Sequence, residues 1–381
     1  MIHPDKSLPA STQVVIVGAG FAGAATAAAL GRLGWGPGLI LEREPIPGAH
    51  SSGRNAALAP QVEDDPVITA LAVAGARRLR EMAGSPEPVL RETGALYLGD
   101  DRDAAFLEAQ VLALAALGVP AQVLTAGQAR ARFPFLGGLR FEAALLSPTD
   151  GVIDIHGLLL RYLAEARGSG FSLVTQCEVR TLLVEGRRAT GVSTDRGDIR
   201  AEVVVDAGGA WAGRLGRETR PLPLRPMRRH LFVSGPAVDV PVDIPWVWDL
   251  AEGYYFRREG PGLLLSPCDA TEHPPGLPGT DSEAEALLAE KLARRAPGLG
   301  DLEIRRAWAC LRTFAPDRRP LIGWDPAVRD LFHVSALGGF GASTSPAVGE
   351  IAAAIIAARD VPHVDPATVA PARLADGANL R

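Results

Sequence analysis

The sequence predicts an α/β protein in which a parallel-sheet domain is interleaved with a second domain built on an antiparallel sheet. Three apolar runs, at residues 14–17, 199–205 and 331–335, each lead into a glycine-rich turn. Apolar strands that end in glycine turns are typical of doubly wound parallel sheets. Between the second and third runs, residues 221–303 are rich in proline, glycine and short strand-like stretches. This order indicates a chain that passes repeatedly between two domains.

The first run opens a complete βαβ unit that ends on an acidic residue. Its parts, in order, are a strand, a glycine turn, a small-residue helix, a second strand and an acid: residues 14–17, 18–23, 24–33, 39–41 and Glu42. Gly18 suits the tight turn, Gly20 lets the backbone approach a pyrophosphate, and Gly23 allows close packing of helix on sheet. Glu42 is placed to accept hydrogen bonds from a ribose. The unit therefore predicts binding of the ADP half of a dinucleotide.

The remaining elements follow from apolar periodicity and turn residues. Helices are predicted over residues 67–82, 102–117, 125–132, 155–167, 281–295 and 346–359. Strands are predicted over residues 89–98, 171–175, 178–185, 190–194, 199–205, 230–234, 246–248, 253–257, 263–266 and 331–335. A long polar loop, 45–65, contains GAHSSGRN, and long ordered loops of this kind are usually functional. The predicted domains are a Rossmann-like domain (10–85, 150–215 and 305–365) and a substrate domain (86–149 and 216–304).

Composition excludes several functional classes. The 381 residues suffice for two domains, and 47% hydrophobic with 22% charged residues is ordinary for a globular protein. A net charge of -5 without a basic, aromatic-rich stripe argues against nucleic acid as a partner. Three widely spaced cysteines, Cys177, Cys268 and Cys310, fit neither a disulfide framework nor a zinc site and indicate a cytoplasmic location. The N-terminus lacks the pattern of a signal peptide, and no transmembrane segment is predicted, although peripheral membrane contact stays open.

The third glycine junction offers a site for a flat, negatively charged ring. Ser345 is placed to cap the helix over 346–359, Pro346 suits its first turn, and the glycines of 338–341 allow close approach of a ligand. A helix N-terminus aimed at the N1 and C2 carbonyl of a flavin would stabilise the reduced ring. A glycine loop before an ordinary capped helix is the alternative. Two further strand–glycine junctions in the same chain favour the cofactor.

Two arginines are candidates for binding a substrate carboxylate. Arg312 ends the alternating run WACLR, and Arg229 precedes the strand over 230–234. A planar guanidinium is a natural bidentate partner of a carboxylate, while a structural ion pair is the alternative for Arg312. Tyr254 and Tyr255 face opposite sides of one strand, so one of them could bind the same carboxylate while the other packs in the core.

His50 is the polar side chain nearest to the predicted flavin loop. One interpretation is that His50 orients a substrate or tunes the reactivity of the flavin. The alternative is that it only makes a hydrogen bond to the backbone. The chain has no HExxH motif, no Ser-His-Asp arrangement and no metal-ligand spacing, so we predict no metal site and find no support for hydrolysis.

Together these motifs resemble the FAD-dependent amino acid oxidase and dehydrogenase (DAO) family, which includes D-amino acid dehydrogenases, glycine oxidase and sarcosine oxidase. The matching pieces, in family order, are GAGFAG with ILERE, HSSGRNAA, VVVDAGGAWA, CLRTFAPDRRPLIG and ALGGFGASTSPAVGE. Within the family the chain is most similar to D-arginine dehydrogenase-type members, through GAHSSGRNAA, RPMRRHLFV, EGYYFRREGPGLLLSP and AWACLRTF. The resemblance implies a glutathione reductase-type FAD-binding domain beside an α+β substrate domain.

The resemblance also assigns site residues. The FAD contacts it implies are Gly18, Gly20, Phe21, Ala22, Gly23, Glu42, Arg43, His50, Ser51, Ser52, Arg54, Asn55, Ala56, Val179, Ala207, Gly208, Trp211, Arg312, Gly338, Gly339, Phe340, Gly341, Ala342 and Ser343. The catalytic and substrate-binding residues it implies are His50, Arg229, Glu252, Tyr255 and Arg312. Ala95 stands where D-arginine dehydrogenase-type members carry an acid for a distal guanidinium. Noncovalent FAD is expected, and a covalent link to Cys310, as in sarcosine oxidase-like members, is the alternative.

The sequence therefore predicts an FAD enzyme that oxidises the C–N bond of an α-amino acid, with the D configuration implied by the resemblance alone. Arg229 and Arg312 would hold the carboxylate while Cα gives a hydride to flavin N5, and the imine would hydrolyse to a 2-oxo acid. The partners are then an amino acid and an electron acceptor: oxygen, a quinone or another protein. Oxidation of a secondary amine such as sarcosine, or of a 2-hydroxy acid with His50 as base, is the alternative. An NAD(P)-dependent dehydrogenase and a flavin-binding module without turnover are the other classes considered.

Overall fold

A computed structural model of the protein describes residues 8–82, 88–215 and 222–374. The helices are α1 Phe21–Arg32, α2 Pro66–Glu81, α3 Ala104–Ala116, α4 Ala126–Arg132, α5 Ile155–Gly168, α6 Ser282–Arg295 and α7 Ser345–Ile356. The strands are β1 Ser11–Val17, β2 Gly38–Leu41, β3 Leu58–Ala59, β4 Leu90–Arg91, β5 Ala95–Gly99, β6 Gln122–Thr125, β7 Ala143–Ser147, β8 Gly151–Ile153, β9 Phe171–Val174, β10 Val179–Glu185, β11 Arg188–Thr194, β12 Gly197–Asp206, β13 Arg225–Ser234, β14 Trp246–Asp249, β15 Tyr254–Glu259, β16 Gly262–Ser266, β17 Thr271–Glu272, β18 Ile304–Phe314, β19 Leu321–Trp324 and β20 Leu331–Ser335. The expectation of no signal peptide falls partly on residues 1–7, outside the described residues.

The first sheet has a parallel centre, as predicted. Strands β9, β2, β1, β12 and β20 run parallel in that order, and β10, β11 and β19 add antiparallel strands at the edges. Helices α1 and α7 pack against each other over this sheet so closely that a Cβ on Gly349 would lie 2.6 Å from the carbonyl oxygen of Ala25. The alanines of α1 make that approach sterically feasible, and their burial forms much of the core beneath the first glycine turn.

The second sheet has nine strands, in the order β17-β13-β16-β15-β14-β5-β7-β6 with β18 also paired to β13. All of its pairs are antiparallel except β14–β5. The predicted α/β fold with two interleaved sheets is therefore confirmed. The domain limits remain a prediction, and sheet membership differs from them at one point. Strand β18 belongs to the second sheet, although the sequence placed residues 305–365 in the first domain.

Several short strands were not predicted. The sequence analysis missed β3, β6, β7, β8, β17 and β19, which are two to five residues long. The predicted strand region 89–98 also divides: β4 joins a three-stranded sheet with β8 and β3, whereas β5 joins the second sheet. Such short runs carry too few residues for a clear alternation of apolar and polar side chains.

The start of α7 corrects the predicted cap. Ser345 is the first helical residue, and the cap position belongs to Thr344, which makes no capping hydrogen bond through its side chain. The Ser345 hydroxyl instead donates to the Ala342 carbonyl at 2.8 Å and lies 3.0 Å from the hydroxyl of Tyr162. Pro346 occupies the first turn, as predicted.

A buried histidine connects the ends of β12 and β20. His333 is register partner to Asp206, and its two ring nitrogens lie 3.5 Å from the Asp206 carboxylate and 3.0 Å from that of Asp325. Burial alone lowers the pKa of His333, but the carboxylates outweigh burial and raise the pKa to about 9. Imidazolium between two carboxylates thus fastens together two of the three strand ends that carry glycine junctions.

This ion cluster predicts a pH-dependent stability. A folded-state pKa above the unfolded value of about 6.5 stabilises the fold fully below pH 6.5, and the contribution is lost as pH rises through about 9. We expect the free energy of unfolding to fall between pH 6 and pH 9.5 by up to about 3 kcal/mol more in the wild type than in His333→Gln. Denaturant titrations at both pH values measure the difference. Equal pH dependence in the two proteins would contradict the assignment.

Candidate active site

A cleft of about 400 Å³ lies between the two sheets. All three strand–glycine junctions line it, together with strands β13, β14, β15 and β18. Most residues singled out from the sequence line this cleft: Gly18, Gly20, Phe21, Ala22, Glu42, Arg43, His50, Ser51, Ser52, Asn55, Ala56, Val179, Ala207, Gly208, Trp211, Arg229, Tyr255, Arg312, Gly338, Gly339, Phe340, Gly341 and Ala342. The fold thus brings together residues that are up to 324 positions apart, from 18 to 342.

The first glycine turn is tight and leaves donors free. Gly18 has φ +103°, and a Cβ there would lie 2.6 Å from the Ala207 carbonyl oxygen. Glu42, which is buried, accepts a hydrogen bond from the backbone N–H of Ala19 at 2.9 Å. In the described part of the chain, the backbone N–H groups of Gly20 and Ala22 find no acceptor. A helix N-terminus with unpaired N–H groups is a binding site for phosphate.

The long loop 45–65 packs against this glycine turn through Ser52. The Ser52 hydroxyl accepts from the backbone N–H of Phe21 at 3.0 Å and lies 2.8 Å from the position of a Cβ on Gly20. A glycine is therefore required at position 20 if Ser52 is to cap the start of α1.

The same loop is fastened to β18 by three hydrogen bonds. The Ser51 hydroxyl donates to the Leu311 carbonyl at 2.6 Å, and Arg54 Nε donates to the Ala309 carbonyl at 3.2 Å. In return, Trp308 Nε1 donates to the Arg54 carbonyl at 2.8 Å. Loop and strand therefore form one rigid wall, with Ser51 facing the cleft and Arg54 on its outer side.

The second junction carries an aromatic and cationic stack. The guanidinium carbon of Arg43 lies 3.7 Å from the ring centre of Trp211, and the His50 ring lies 4.7 Å from the same indole. His50 Nε2 lies 2.8 Å from the Glu44 carboxylate, which holds the pKa of Glu44 below its usual value. His50 Nδ1 is buried and finds no hydrogen-bond partner in the described ranges.

The third junction lies directly against the candidate carboxylate site. Gly338 has φ +57°, and a Cβ there would lie 2.6 Å from the Phe314 ring. A Cβ on Gly339 would lie 3.2 Å from Arg312 Nη1. The glycines thus make room for the side chains of β18 as well as for a ligand.

Arg312 is a half-buried cation without a partner among the described residues. No acceptor for its guanidinium occurs in residues 8–82, 88–215 or 222–374, and its Nε is a buried donor with no hydrogen bond. Burial, then the nearby charge of Arg229, lower the pKa of Arg312 to about 10. It is still protonated at neutral pH, and its guanidinium carbon lies 5.3 Å from the centre of the Phe314 ring. A cation withdrawn from water without a partner is costly unless an anion binds to it.

Arg229 and Tyr255 complete the charged end of the cleft. Arg229 lies opposite Cys310 on β18 and diagonal to Arg312, so both guanidinium groups are on one face of the sheet. Tyr255 lines the cleft, and its ring lies 5.3 Å from that of Trp248 on β14. Burial raises the pKa of Tyr255, so its hydroxyl stays protonated as a donor. Its neighbour Tyr254 is fully buried in the core, which settles the alternative left by the sequence.

Four predicted residues do not line the cleft. Gly23 packs against the sheet, where a Cβ would lie 2.0 Å from the Gly18 carbonyl oxygen. Arg54 lies outside the main cleft, and the Ser343 hydroxyl donates to the Phe340 carbonyl at 3.1 Å. Glu252 lies in the turn after β14, where its carboxylate pairs with Arg294 at 2.9 Å. The structure therefore does not bring Glu252 to the substrate.

The sequence analysis missed several lining residues, and two of them stand at the substrate end of the cleft. Leu231 on β13 and Trp248 on β14 form the apolar wall beside Tyr255. Their strands were predicted, but which face of each strand meets the cleft depends on the pairing of β13 with β18 and of β14 with β15. Alternation alone could not decide it.

The residues present fit FAD. The free N–H groups at the start of α1 and the buried Glu42 would hold the pyrophosphate and ribose, and Val179 lines the same cleft. Glycines at the second and third junctions leave room for a flat ring beside the loop 50–56. Within the described residues, no group of three or more His, Cys, Asp or Glu side chains could hold a metal ion. Nor does any described helix have the length and apolar content to cross a bilayer.

Comparison with known proteins decides the family. The sequence profile described as "FAD dependent oxidoreductase" (DAO) matches residues 13–355. This chain belongs to the DAO family. The family is one of FAD-dependent oxidoreductases, and the cofactor of this chain is accordingly FAD.

Similar curated proteins include two that are named for an amino acid or amine and one that is named as a regulatory subunit. Glycine oxidase of Pseudomonas aeruginosa is 30% identical over 383 residues, which cover 95% of this chain and 99% of the oxidase. Human mitochondrial sarcosine dehydrogenase is 26% identical over 348 residues, 86% of this chain and 38% of its own length. The mouse pyruvate dehydrogenase phosphatase regulatory subunit is 26% identical over 366 residues, 91% of this chain and 41% of its own. The chain spans about two fifths of the length of the last two.

Solved structures share the fold. L-Proline dehydrogenase from P. horikoshii superimposes with a TM-score of 0.85 at 24% identity, covering 97% of this chain and 99% of the dehydrogenase. Glycine oxidase from Geobacillus kaustophilus gives a TM-score of 0.79 at 24% identity, covering 95% of this chain and 98% of the oxidase. These likenesses confirm the architecture of the two interleaved sheets.

Proposed function

We propose that this protein oxidises the C–N bond of an α-amino acid to the imino acid, which hydrolyses to a 2-oxo acid. The observation that carries the proposal is the half-buried guanidinium of Arg312 at the wall of the FAD cleft, which has no partner in the described residues and has Arg229 diagonal to it. A carboxylate is the ligand that such a pair of cations binds best. The names of the relatives, glycine oxidase and sarcosine dehydrogenase, support an amino acid or amine as substrate.

The walls of the substrate end favour an apolar side chain. The second sheet contributes Leu231, Trp248, Tyr255 and Cys310 beside the two arginines. Among the described lining residues, the acids are Glu42, Glu178 and Asp206, all on the side of the first sheet. A basic side chain would therefore meet two cations and no carboxylate, which agrees with Ala95 at the position of the missing acid.

In this proposal the protein's own residues bind the substrate and orient it. Arg312 and Arg229 take the carboxylate, and the protonated hydroxyl of Tyr255 donates a third hydrogen bond. The apolar wall excludes water from Cα and favours the uncharged amine, which carries the lone pair that drives loss of hydride. Bound FAD supplies the hydride acceptor. The D configuration rests only on the resemblance to D-arginine dehydrogenase-type members, and the final electron acceptor stays unassigned.

His50 supports a second candidate, oxidation of a 2-hydroxy acid. Its Nε2 faces Glu44 and its Nδ1 is a buried nitrogen without a partner, an arrangement that leaves a lone pair for taking a hydroxyl proton. His50→Gln would then abolish hydroxy acid oxidation, whereas amino acid oxidation would persist.

Anaerobic mixing tests both candidates. FAD-loaded protein is mixed with single D- and L-amino acids, glycine, sarcosine and 2-hydroxy acids, and bleaching of flavin absorbance is recorded. We expect bleaching by apolar amino acids of one configuration and none by arginine or lysine. Bleaching only by 2-hydroxy acids would replace the first proposal with the second. No bleaching by any compound would overturn both.

We propose that FAD is held without a covalent bond. Cys310 lines the cleft, but burial raises the pKa of its thiol, so the reactive thiolate is scarce at neutral pH. Acid precipitation is expected to leave the yellow colour in the supernatant, and Cys310→Ser is expected to retain the same FAD content. Colour in the protein pellet that disappears in Cys310→Ser would show the covalent link.

A further inference from the structure

We propose that Asp269 is a positioning residue that holds the guanidinium of Arg229 ready for the substrate carboxylate, acting together with His230. The inference rests on the proposed function, because it gives a task to residues behind the proposed carboxylate site. Asp269 lies between β16 and β17 and does not itself line the cleft.

Arg229 is oriented by backbone carbonyls and not by an acid. Its Nε donates to the Asp269 carbonyl at 2.8 Å, and its Nη2 donates to the Cys268 carbonyl at 2.9 Å. No carboxylate lies within ion-pair distance of Arg229 in the described part of the chain. Carbonyls fix the plane of the guanidinium but leave its charge uncompensated, whereas a bound carboxylate of the protein would compete with the substrate.

The two carbonyls must themselves be held. Cys268 has φ +55°, in the left-handed region that non-glycine residues rarely adopt, so this short segment is not a relaxed turn. The Asp269 carboxylate holds it through both oxygens. One accepts from the backbone N–H of His230 at 2.9 Å, and the other lies 2.7 Å from His230 Nδ1. The residue that anchors the segment is thus the chain neighbour of the arginine that the segment orients.

The surroundings of His230 fix the direction of these bonds. His230 is fully buried, and its Nε2 accepts from the backbone N–H of Asp281 at 3.2 Å, so Nδ1 carries the proton given to Asp269. Ser266 closes the network: its hydroxyl donates to the His230 carbonyl at 2.7 Å and accepts from the N–H of Cys268 at 3.3 Å. Each polar group named here has a hydrogen-bond partner, and a polar network whose groups are all satisfied is rigid.

Asp269→Asn is the sharpest variant, because it keeps the shape but provides one acceptor oxygen for two N–H groups of His230. We expect propionate, a carboxylate without an amine, to bind about tenfold more weakly to the FAD-loaded variant. KM for the preferred amino acid should rise by a similar factor, while kcat changes little, since uniform binding is lost. Calorimetry measures propionate affinity, and flavin content checks the cofactor. Glu272→Gln, in the neighbouring β17 and paired with Arg225 at the surface, is the matched control and is expected to bind propionate like the wild type.

A double-mutant cycle separates positioning from general support. In an Arg229→Ala background, Asp269→Asn is expected to weaken propionate binding no further. The same factor in both backgrounds, or wild-type affinity in Asp269→Asn alone, would overturn the inference. If Asp269→Asn does not fold, Ser266→Ala takes its place, with about a threefold loss that also vanishes in the Arg229→Ala background. Wild-type protein that binds no propionate and is reduced by no amino acid would instead contradict the proposed function.

Discussion

Replacing Arg312 by alanine is expected to lower kcat/KM for the preferred amino acid by about 100-fold or more while FAD stays bound. Loss of a buried, charge-assisted contact to a ligand costs about 2–5 kcal/mol, and each 1.4 kcal/mol is about tenfold in affinity. The guanidinium has no acceptor in the described part of the protein, so its removal leaves no partner unsatisfied. We therefore expect unchanged or higher resistance to urea in the same variant. Steady-state kinetics, flavin content and urea titration are the measurements.

Arg318→Ala is the matched control for this prediction. Arg318 is exposed, its guanidinium carbon lies 4.6 Å from the same Phe314 ring, and it does not line the cleft. Kinetics within about twofold of the wild type are expected, since surface substitutions away from the site change little. Arg312→Ala with wild-type kcat/KM would remove Arg312 from the site.

Gly20→Ala is expected to weaken FAD binding by at least about tenfold. The new methyl group would lie 2.8 Å from the Ser52 hydroxyl oxygen and would stand at the phosphate end of the cleft. Forcing a methyl group into a filled site costs about 1–3 kcal/mol. Quenching of flavin fluorescence during titration of the apoprotein measures the dissociation constant.

The double variant Gly20→Ala/Ser52→Ala distinguishes ligand contact from packing within the protein. Ser52→Ala removes the oxygen that would clash with the added methyl group. The Cβ of residue 52 remains 3.8 Å from that methyl group, which is an ordinary van der Waals contact. If Gly20 serves the cofactor, the double variant still binds FAD poorly, while Ser52→Ala alone binds it with a small loss. Recovery of wild-type affinity in the double variant would mean that Gly20 serves only Ser52.

The sequence predicted the parts of the fold that depend on local geometry. Gly18 adopts the positive φ that its turn requires, and Glu42 directly follows the end of β2. The prediction that Ser345 caps α7 was wrong, because its hydroxyl donates to the Ala342 carbonyl and contacts the hydroxyl of Tyr162. Tyr162 lies on α5, 183 residues away in the chain. No local pattern carries information on such a distant contact.

The candidate site was predictable in its residue types but not in its geometry. Alternation placed Tyr254 and Tyr255 on opposite faces, and only the packing of the second sheet shows that Tyr255 meets the cleft. Glu252 was placed by resemblance alone, and the turn after β14 directs it to Arg294. Asp269 was missed because it lies in an irregular segment, where neither periodicity nor a known motif draws attention to it.

The three hydrogen bonds between the loop 51–54 and β18 have a thermodynamic consequence. The wall that would contact the flavin and the strand that carries Arg312 cannot shift independently. We therefore expect occupancy at one end to change affinity at the other, and by reciprocity the factor in the two dissociation constants is the same in both directions. Propionate should tighten binding of the prosthetic group by the same factor as the prosthetic group tightens binding of propionate, so that the apoprotein is a poor receptor for its own substrate.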